Sequence, residues 1–203
     1  MTIQFRESSL PGHEGRLGLH MHVFTGKFVF PCDLREGEVD IRDIAHHLSM
    51  QCRFAGATID FVSVAEHSWI ASYFEPEVDP LEKLMHDAAE TYIQDWIRPI
   101  KYLPELAPIY RALEEPIEKV IAKKFGLKYP FPPSVKRADE TVVTMEVRDN
   151  IANPDKGTLH EEMAIPPHIK LKRWSPKKAE AMFLKRFKEL TIKRALTSYG
   201  LAA

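Results

Sequence analysis

Helical spacing of apolar residues is the feature that most restricts what this chain can fold into. From residue 41 onward, apolar residues recur at steps of three and four, which places them on one face of a helix. The clearest run consists of Leu81, Leu84, Met85, Ala88, Ala89, Tyr92 and Ile93. No alternation of strands with helices accompanies this pattern. The spacing therefore predicts a single all-α domain built from packed helices.

The helical segments divide residues 1–203 into a core at about 41–150 and two flanking parts. We expect helices from Ile41 to Gln51, from Ser63 to before Pro76, from Pro80 to near Asp95, from Leu106 to Phe125 and from Ser134 to Asp149. Pro116 makes the fourth of these either one kinked helix or two abutting helices. Residues 1–40 are irregular apart from a short hairpin expected around Thr25 and Gly26. Residues 151–203 are interpreted as a loop and a basic helix that begins after Ser175.

Local signals mark the ends of several helices. Asp79 is a candidate N-cap for the third helix, and Glu82 is placed to complete a capping box with it. Asp40 and Ser134 are the corresponding N-cap signals before the first and fifth helices. Gly126 is placed to end the fourth helix as a C-terminal cap.

The composition excludes several classes of function. With 28 basic and 29 acidic residues, the chain has no overall field that would attract nucleic acid or an anionic membrane. No stretch approaches the ~20 apolar residues of a membrane span, and the N-terminus has no signal-peptide pattern. Cys32 and Cys52 are too few for a disulfide framework. We therefore expect a cytoplasmic protein whose partner is a small molecule.

Three of the expected helices carry polar residues within otherwise apolar patterns. These residues are Glu66, His67, His86, Asp87, Glu90 and Asp139. Two imidazoles with carboxylates form a mixed nitrogen and oxygen set, which suits Mn, Co, Fe or Ni better than Mg or a thiolate-bound Zn. A metal with an open coordination position lowers the pKa of bound water and polarises a phosphoryl group, and hydrolases use both effects. The alternative is that the histidines are ordinary core or surface residues and the carboxylates form a solvated face.

Three short segments make the chain recognisable. The run from His86 to Glu90, the run from Ser63 to Ser68 and the run from Val135 to Asp139 together resemble the HD-domain metal-dependent phosphohydrolases. Within that superfamily, the chain is most similar to the bacterial 5′-deoxynucleotidase branch and its phage-type relatives. The resemblance extends from about residue 41 to 150. It implies an all-helical bundle that binds one divalent transition metal through four residues: His67, His86, Asp87 and Asp139.

The resemblance also implies roles for residues around the metal. Glu90 would lie near the attacking water and Asp95 beside the scissile phosphate. Arg53 would bind the phosphate, for which its planar guanidinium is well suited, and Lys101 is a second candidate phosphate contact. Phe54 stands where the 5′-deoxynucleotidases have a tryptophan that helps to reject a 2′-hydroxyl, so the sugar preference stays open.

The function expected from this resemblance is the release of phosphate from (deoxy)nucleoside 5′-monophosphates. A dNTP triphosphohydrolase is an alternative that would use the same metal but needs a longer basic pocket. An alarmone hydrolase fits less well, because that group tends to have Glu-Asp where this chain has Glu90-Thr91. A nucleotide-binding sensor without turnover is an alternative of a different class. A homodimer is the expected assembly.

Several other polar residues have no assigned role in the expected site. Glu66 is interpreted as either an outer contact of the site or an exposed residue, and His46 and His47 point to different faces of the first helix. We expect solvated roles for the loop and hairpin histidines His13, His20, His22, His160 and His168. The basic C-terminal helix is interpreted as a solvated face, because it lacks the interleaved aromatic residues of a single-strand-binding surface.

Overall fold

A computed structural model describes residues 5–154 and 169–200, and within these ranges the fold is all-α as predicted. The helices are α1 (Ile41–Met50), α2 (Val64–Ala71), α3 (Pro80–Met85), α4 (Glu90–Ile93), α5 (Arg98–Lys101), α6 (Ala107–Phe125), α7 (Pro133–Asn150) and α8 (Pro176–Ser198). Strands β1 (Met21–His22) and β2 (Phe28–Val29) pair antiparallel and confirm the hairpin expected around Thr25 and Gly26. Among the described residues, no helix has the length and apolar character needed to cross a membrane.

Helix α2 lies at the centre of the fold. All eight of its residues are buried, because it packs against α1, α3, α7 and α8. The Ser63 side chain accepts a hydrogen bond from the Glu66 backbone N–H and so caps the start of the helix. A helix buried on every side has no solvated face, so each polar side chain on it needs a partner inside the protein.

The third predicted helix is interrupted in the structure. It ends at Met85 as α3, and residues 86–89 form a turn before α4 begins. His86 Nδ1 hydrogen-bonds the Lys83 carbonyl oxygen at 2.7 Å, which is the oxygen that Asp87 N–H would bond in a continuous helix. The next N–H groups bond three residues back instead of four, as in the 3.0 Å bond from Ala88 N to Met85 O. In the turn, the side chains of His86 and Asp87 are largely buried, 8% and 17% exposed.

Two of the predicted N-caps are wrong, because tertiary partners occupy the side chains. Asp79 makes no cap; it accepts hydrogen bonds from Lys128 Nζ at 2.8 Å and from Ser134 Oγ at 3.1 Å. Ser134 therefore does not cap α7, which starts at Pro133. Glu82 does not complete a capping box either, since its buried carboxylate is 2.6 Å from Arg194 Nη2. These contacts join α3 to α7 and α8.

The predicted caps at the start of α1 and at the end of α6 are confirmed. Asp40 caps α1 by accepting from the Arg42 backbone N–H, and Gly126 ends α6 in the left-handed conformation with φ of 61°. Glycine adopts this conformation without steric cost. The helix runs through Pro116 as one element, which decides between the two alternatives for this segment.

The segment before α8 is fixed by Glu66, which is fully buried. Its carboxylate accepts backbone hydrogen bonds from Lys172 at 2.7 Å, Arg173 at 2.9 Å and Trp174 at 2.8 Å. The residue is therefore not exposed, and its carboxylate joins α2 to the C-terminal segment. The loop predicted between α7 and α8 lies mostly at 155–168, outside the described residues, as do His160 and His168.

We expect Glu66→Ala to lower the free energy of unfolding by about 2–4 kcal/mol, because three backbone N–H groups lose a charged acceptor. Urea denaturation followed by circular dichroism, with EDTA present to remove any metal, measures the change. Glu77→Ala is the matched control: Glu77 is exposed and pairs only loosely with Lys193, at 3.4 Å. We expect it to change stability by less than about 0.5 kcal/mol. Equal effects of the two substitutions would contradict the assignment.

Candidate metal centre

Four side chains from three parts of the fold meet at one point. His67 comes from α2, His86 and Asp87 from the turn between α3 and α4, and Asp139 from α7. His67 Nε2 is 3.1 Å from Asp139 Oδ1 and 3.8 Å from Asp87 Oδ2. His86 Nε2 is 3.2 Å from Asp87 Oδ2 and 3.8 Å from Asp139 Oδ1. We refer to this group of four candidate ligands as the metal centre.

The donor atoms of the metal centre fit a metal ion. Ligand atoms bound to one ion at about 2.1 Å are about 3–4 Å apart, which matches the observed separations. His67 Nε2, His86 Nε2 and Asp87 Oδ2 are buried and have no hydrogen-bond partner among the described residues. Buried polar atoms are normally paired, so three unpaired atoms facing one point indicate a missing partner. His67, His86 and Asp87 could therefore hold a metal ion.

The orientation of both imidazoles is set by hydrogen bonds at their other nitrogen. His67 Nδ1 is 3.0 Å from Glu146 Oε1, and His86 Nδ1 is 2.7 Å from the Lys83 carbonyl oxygen. Both partners are acceptors, so each Nδ1 carries the proton in the neutral ring. The lone pair of each Nε2 then faces the metal centre, as in metal-binding histidines generally.

Carboxylates raise the pKa of both imidazoles in the metal centre. Burial and Arg53 lower the pKa of His67, but the carboxylates of Glu146 and Asp139 outweigh them and raise it to about 9. Burial also lowers the pKa of His86, whereas Asp87 and Asp139 produce a net rise. A site that holds protons this strongly on two imidazoles is one that favours a cation.

Arg53 lies beside the metal centre and is itself buried. It belongs to a short 3₁₀ turn in which Phe54 and Ala55 have φ of 53° and 51°, unusual values for residues with a side chain. Its Nε donates a 3.2 Å hydrogen bond to Glu146 Oε2, and its Nη1 is 3.6 Å from Asp95 Oδ2. Carboxylates thus fix a guanidinium within reach of the metal centre.

A cleft of about 360 Å³ opens at Arg53, and we call it the Arg53 cleft. It is lined by Arg53, Phe54, Ala57, Asp95, Trp96, Ile97, Arg98, Pro99 and Val143. Arg98 connects the cleft to the metal centre, because its Nη2 is 3.4 Å from Asp139 Oδ2. The cleft therefore combines apolar and aromatic walls with two guanidinium groups and one carboxylate, a composition typical of small-molecule sites.

Glu90 faces the same region from the start of α4. It is 4% exposed, and its Oε2 has no hydrogen-bond partner among the described residues. Burial raises its pKa well above the usual range, and the nearby carboxylates of Asp87 and Asp95 raise it further. Gln51 binds the backbone at both Glu90 and Asp95: its Nε2 donates to the Glu90 carbonyl and its Oε1 accepts from Asp95 N, each at 3.1 Å.

Of two residues expected to contact the substrate, Phe54 lies in the Arg53 cleft and Lys101 does not. Phe54 lines the Arg53 cleft, and its ring centroid is 5.7 Å from the Arg53 guanidinium. Lys101 is not among the residues that line the cleft. Its Nζ donates to Glu114 Oε1 at 3.0 Å and lies 4.2 Å from the Tyr110 ring centroid. Lys101 thus contributes positive charge near Glu90 rather than a free ammonium group in the cleft.

Other histidines that the sequence singled out lie away from the metal centre. His46 stacks on Phe24 with ring centroids 3.8 Å apart and contacts Glu180 at 3.1 Å. His47 Nε2 accepts a 3.2 Å hydrogen bond from the Phe24 backbone N–H. Both residues join α1 to neighbouring segments.

Glu146, Arg98 and Gln51 contact the site but are not among the residues predicted from the sequence. A signal for Glu146 was present, because it lies seven residues after Asp139 and therefore on the same face of α7 two turns later. It also follows Val142 by four residues, on the apolar face. Arg98 and Gln51 carried no comparable signal, since their contacts depend on how the loops fold.

We expect metal affinity to rise with pH. Because the pKa of His67 is about 9 without metal, a cation must displace a proton from it at neutral pH. The dissociation constant for Mn²⁺ should fall by about tenfold or more for each pH unit between pH 6 and 8. Isothermal titration calorimetry in a non-coordinating buffer measures it. A dissociation constant independent of pH would contradict the assignment of His67 as a ligand.

Comparison with known proteins shows similarity along most of the chain. No protein-family model matches it. The chain is 36% identical over 172 residues to the uncharacterized protein YfdR of Escherichia coli strain K12, and this alignment covers 83% of the chain and 94% of YfdR. It is also 32% identical over 135 residues to an uncharacterized protein of Rhodobacter capsulatus, covering 62% of the chain and 68% of that protein.

Proposed function

The chain belongs to the same protein family as YfdR, and from the chemistry of its site we propose that it is a metal-dependent phosphohydrolase of the HD-domain type. Its substrates in this proposal are nucleoside 5′-monophosphates, from which it releases inorganic phosphate. The observation that carries the proposal is the meeting of two imidazole nitrogens and two carboxylates beside a buried arginine that lines a cleft. Three buried ligand atoms, His67 Nε2, His86 Nε2 and Asp87 Oδ2, have no hydrogen-bond partner among the described residues, and a bound metal ion would satisfy all three.

His67, His86, Asp87 and Asp139 are the residues that would hold the metal. Two nitrogen and two oxygen donors suit Mn, Co, Fe or Ni better than Mg, which prefers oxygen, or the thiolate sites of Zn. When bound, a divalent cation supplies Lewis-acid chemistry that polarises the phosphoryl group and acidifies the attacking water.

In this proposal, Glu90 is the general base and Asp95 is the general acid. The buried Glu90 carboxylate has a raised pKa, which makes it a suitable base to take a proton from water as the water attacks phosphorus. Asp95 also has a raised pKa, mainly because it is buried. It donates a proton to the 5′-oxygen of the nucleoside as the bond between phosphorus and that oxygen breaks. Hydrolysis thus consumes one water and leaves no net change at either carboxyl group once they re-equilibrate.

Arg53 binds the phosphoryl oxygens and offsets the charge that they carry. Its guanidinium is held by Glu146 through Nε, and its Nη1 lies on the side of Asp95, 3.6 Å from Oδ2. A fixed, preorganised cation of this kind stabilises developing negative charge without reorganising. The aromatic walls of the Arg53 cleft, Phe54 and Trp96, provide flat apolar surfaces for the nucleoside.

Substitution of a ligand carboxylate tests the proposal. We expect Asp139→Asn to lower bound Mn²⁺ below about one-tenth of the wild-type stoichiometry and phosphate release by at least about 100-fold, because an amide is a much weaker ligand than a carboxylate. The matched control is Asp149→Asn on the same helix, where Asp149 pairs with Arg148 at 2.7 Å. Elemental analysis and a phosphate-release assay measure the two effects. An Asp139→Asn protein with wild-type metal content and activity would refute the proposal.

A substrate screen separates the alternatives. The described part of the Arg53 cleft contains two guanidinium groups, which favours one phosphoryl group over three. We therefore expect Mn²⁺- or Co²⁺-loaded protein to release phosphate from dAMP or AMP and no tripolyphosphate from dATP. Release of tripolyphosphate would favour the triphosphohydrolase. Nucleotide-induced thermal stabilisation without any product, across all nucleoside mono- and triphosphates, would favour a sensor.

A further inference from the structure

Glu146 joins two groups that the proposed reaction uses separately. Its Oε1 is 3.0 Å from His67 Nδ1, on the ring whose Nε2 faces the metal centre. Its Oε2 accepts a 3.2 Å hydrogen bond from Arg53 Nε. The side chain is 1% exposed, so neither contact is shared with solvent. One carboxylate therefore contacts both a metal-centre histidine and the arginine that lines the cleft.

Helix α7 makes this arrangement possible. Asp139 and Glu146 are seven residues apart, which places them on one face of the helix about two turns from each other. Asp139 reaches His67 Nε2 from one end, and Glu146 reaches His67 Nδ1 from the other. The imidazole is thus held between two carboxylates of the same helix, with little freedom to rotate.

We propose that Glu146 is a positioning residue that sets both the metal affinity and the phosphate affinity of this site. The inference rests on the proposed function for the identity of the two ligands, and it is not a role in the chemical step. Through Oε1, Glu146 keeps the proton on His67 Nδ1 and leaves Nε2 free for the metal. Through Oε2, it holds Arg53, which lines the cleft, so that Nη1 of the guanidinium faces Asp95.

The alternative is that Glu146 only neutralises two buried cationic groups and stabilises the fold. Glutamine distinguishes the two roles, because it has nearly the same shape and can accept through only one oxygen. In Glu146→Gln an amide N–H₂ faces either His67 Nδ1–H or Arg53 Nε–H and turns that group away. The other group keeps only a neutral amide oxygen in place of a carboxylate, so both groups lose the charged partner that aligned them. A merely structural residue would lower the unfolding temperature and leave the ligand affinities of the folded protein unchanged.

The experiment measures two dissociation constants by isothermal titration calorimetry on the full chain. One is for Mn²⁺ without any anion, and the other is for inorganic phosphate with EDTA present. In Glu146→Gln we expect Mn²⁺ to bind about 10–100-fold more weakly, the effect typical of removing the partner of a metal-binding histidine. We expect phosphate to bind at least about fivefold more weakly, because Arg53 loses its alignment.

The matched control is Glu140→Gln. It removes the same charge from the same helix, but Glu140 faces Lys136 at 3.6 Å and contacts neither His67 nor Arg53 in the described structure. Both dissociation constants should stay within about twofold of wild type. If Glu146→Gln does not fold, Glu146→Asp takes its place. It keeps the charge, but its shorter side chain cannot reach both partners, and we expect both affinities to fall.

The outcomes separate this inference from the proposed function. Loss of both affinities in the folded variant supports the positioning role, whereas loss of only one, or of neither, overturns it. If wild-type protein hydrolyses nucleotides and the variant keeps either affinity, the inference fails alone. If both affinities fall as expected but the wild-type protein hydrolyses no nucleotide, the proposed function fails and the positioning role stands.

Discussion

Complete burial of helix α2 is the constraint on which the rest of the structure depends. A helix without a solvated face requires an internal partner for each charged side chain, and α2 carries two such residues in succession. Glu66 is satisfied by the backbone of residues 172–174, which attaches the C-terminal part of the chain to the core. His67 is paired at Nδ1 with Glu146, and its Nε2 faces the metal centre, 3.1 Å from Asp139 Oδ1. The same burial therefore attaches the C-terminal segment through Glu66 and places an imidazole nitrogen of His67 in the metal centre.

Charge balance around Arg53 and the metal centre follows from this burial. Five carboxylates, from Asp87, Glu90, Asp95, Asp139 and Glu146, lie close to one buried arginine and two histidines. Without a cation, the surplus negative charge is relieved by protons, which is why the pKa of His67 rises to about 9 and the pKa of Glu90 rises well above its usual range. A divalent ion would replace these protons, and Arg53 would keep its charge for an anionic substrate. The proposed function uses both properties of the site.

Periodic patterning predicted the helices well, because apolar residues at helical spacing record which face is buried. It could not predict the break at His86, because the sequence has no helix-breaking residue there; in the structure the His86 side chain occupies the Lys83 carbonyl. The N-cap signal at Asp79 failed for a related reason: its partner, Ser134, is distant in sequence. The four expected metal ligands lie together in the structure, with Arg53 and Asp95 beside them, but the expected phosphate contact Lys101 pairs with Glu114 instead. Glu146 was not predicted, because a glutamate on a helix usually faces solvent. The local sequence indicates helix propensity, whereas contacts between residues distant in sequence depend on the tertiary fold.

The central claim is that His67, His86, Asp87 and Asp139 bind one divalent cation. Anomalous diffraction at the manganese edge, from crystals soaked in Mn²⁺, tests this claim most directly. We predict a single strong peak about 2.0–2.3 Å from His67 Nε2, His86 Nε2 and a carboxylate oxygen of each aspartate. No peak at saturating Mn²⁺, or a peak that none of these four side chains contacts, would contradict the account.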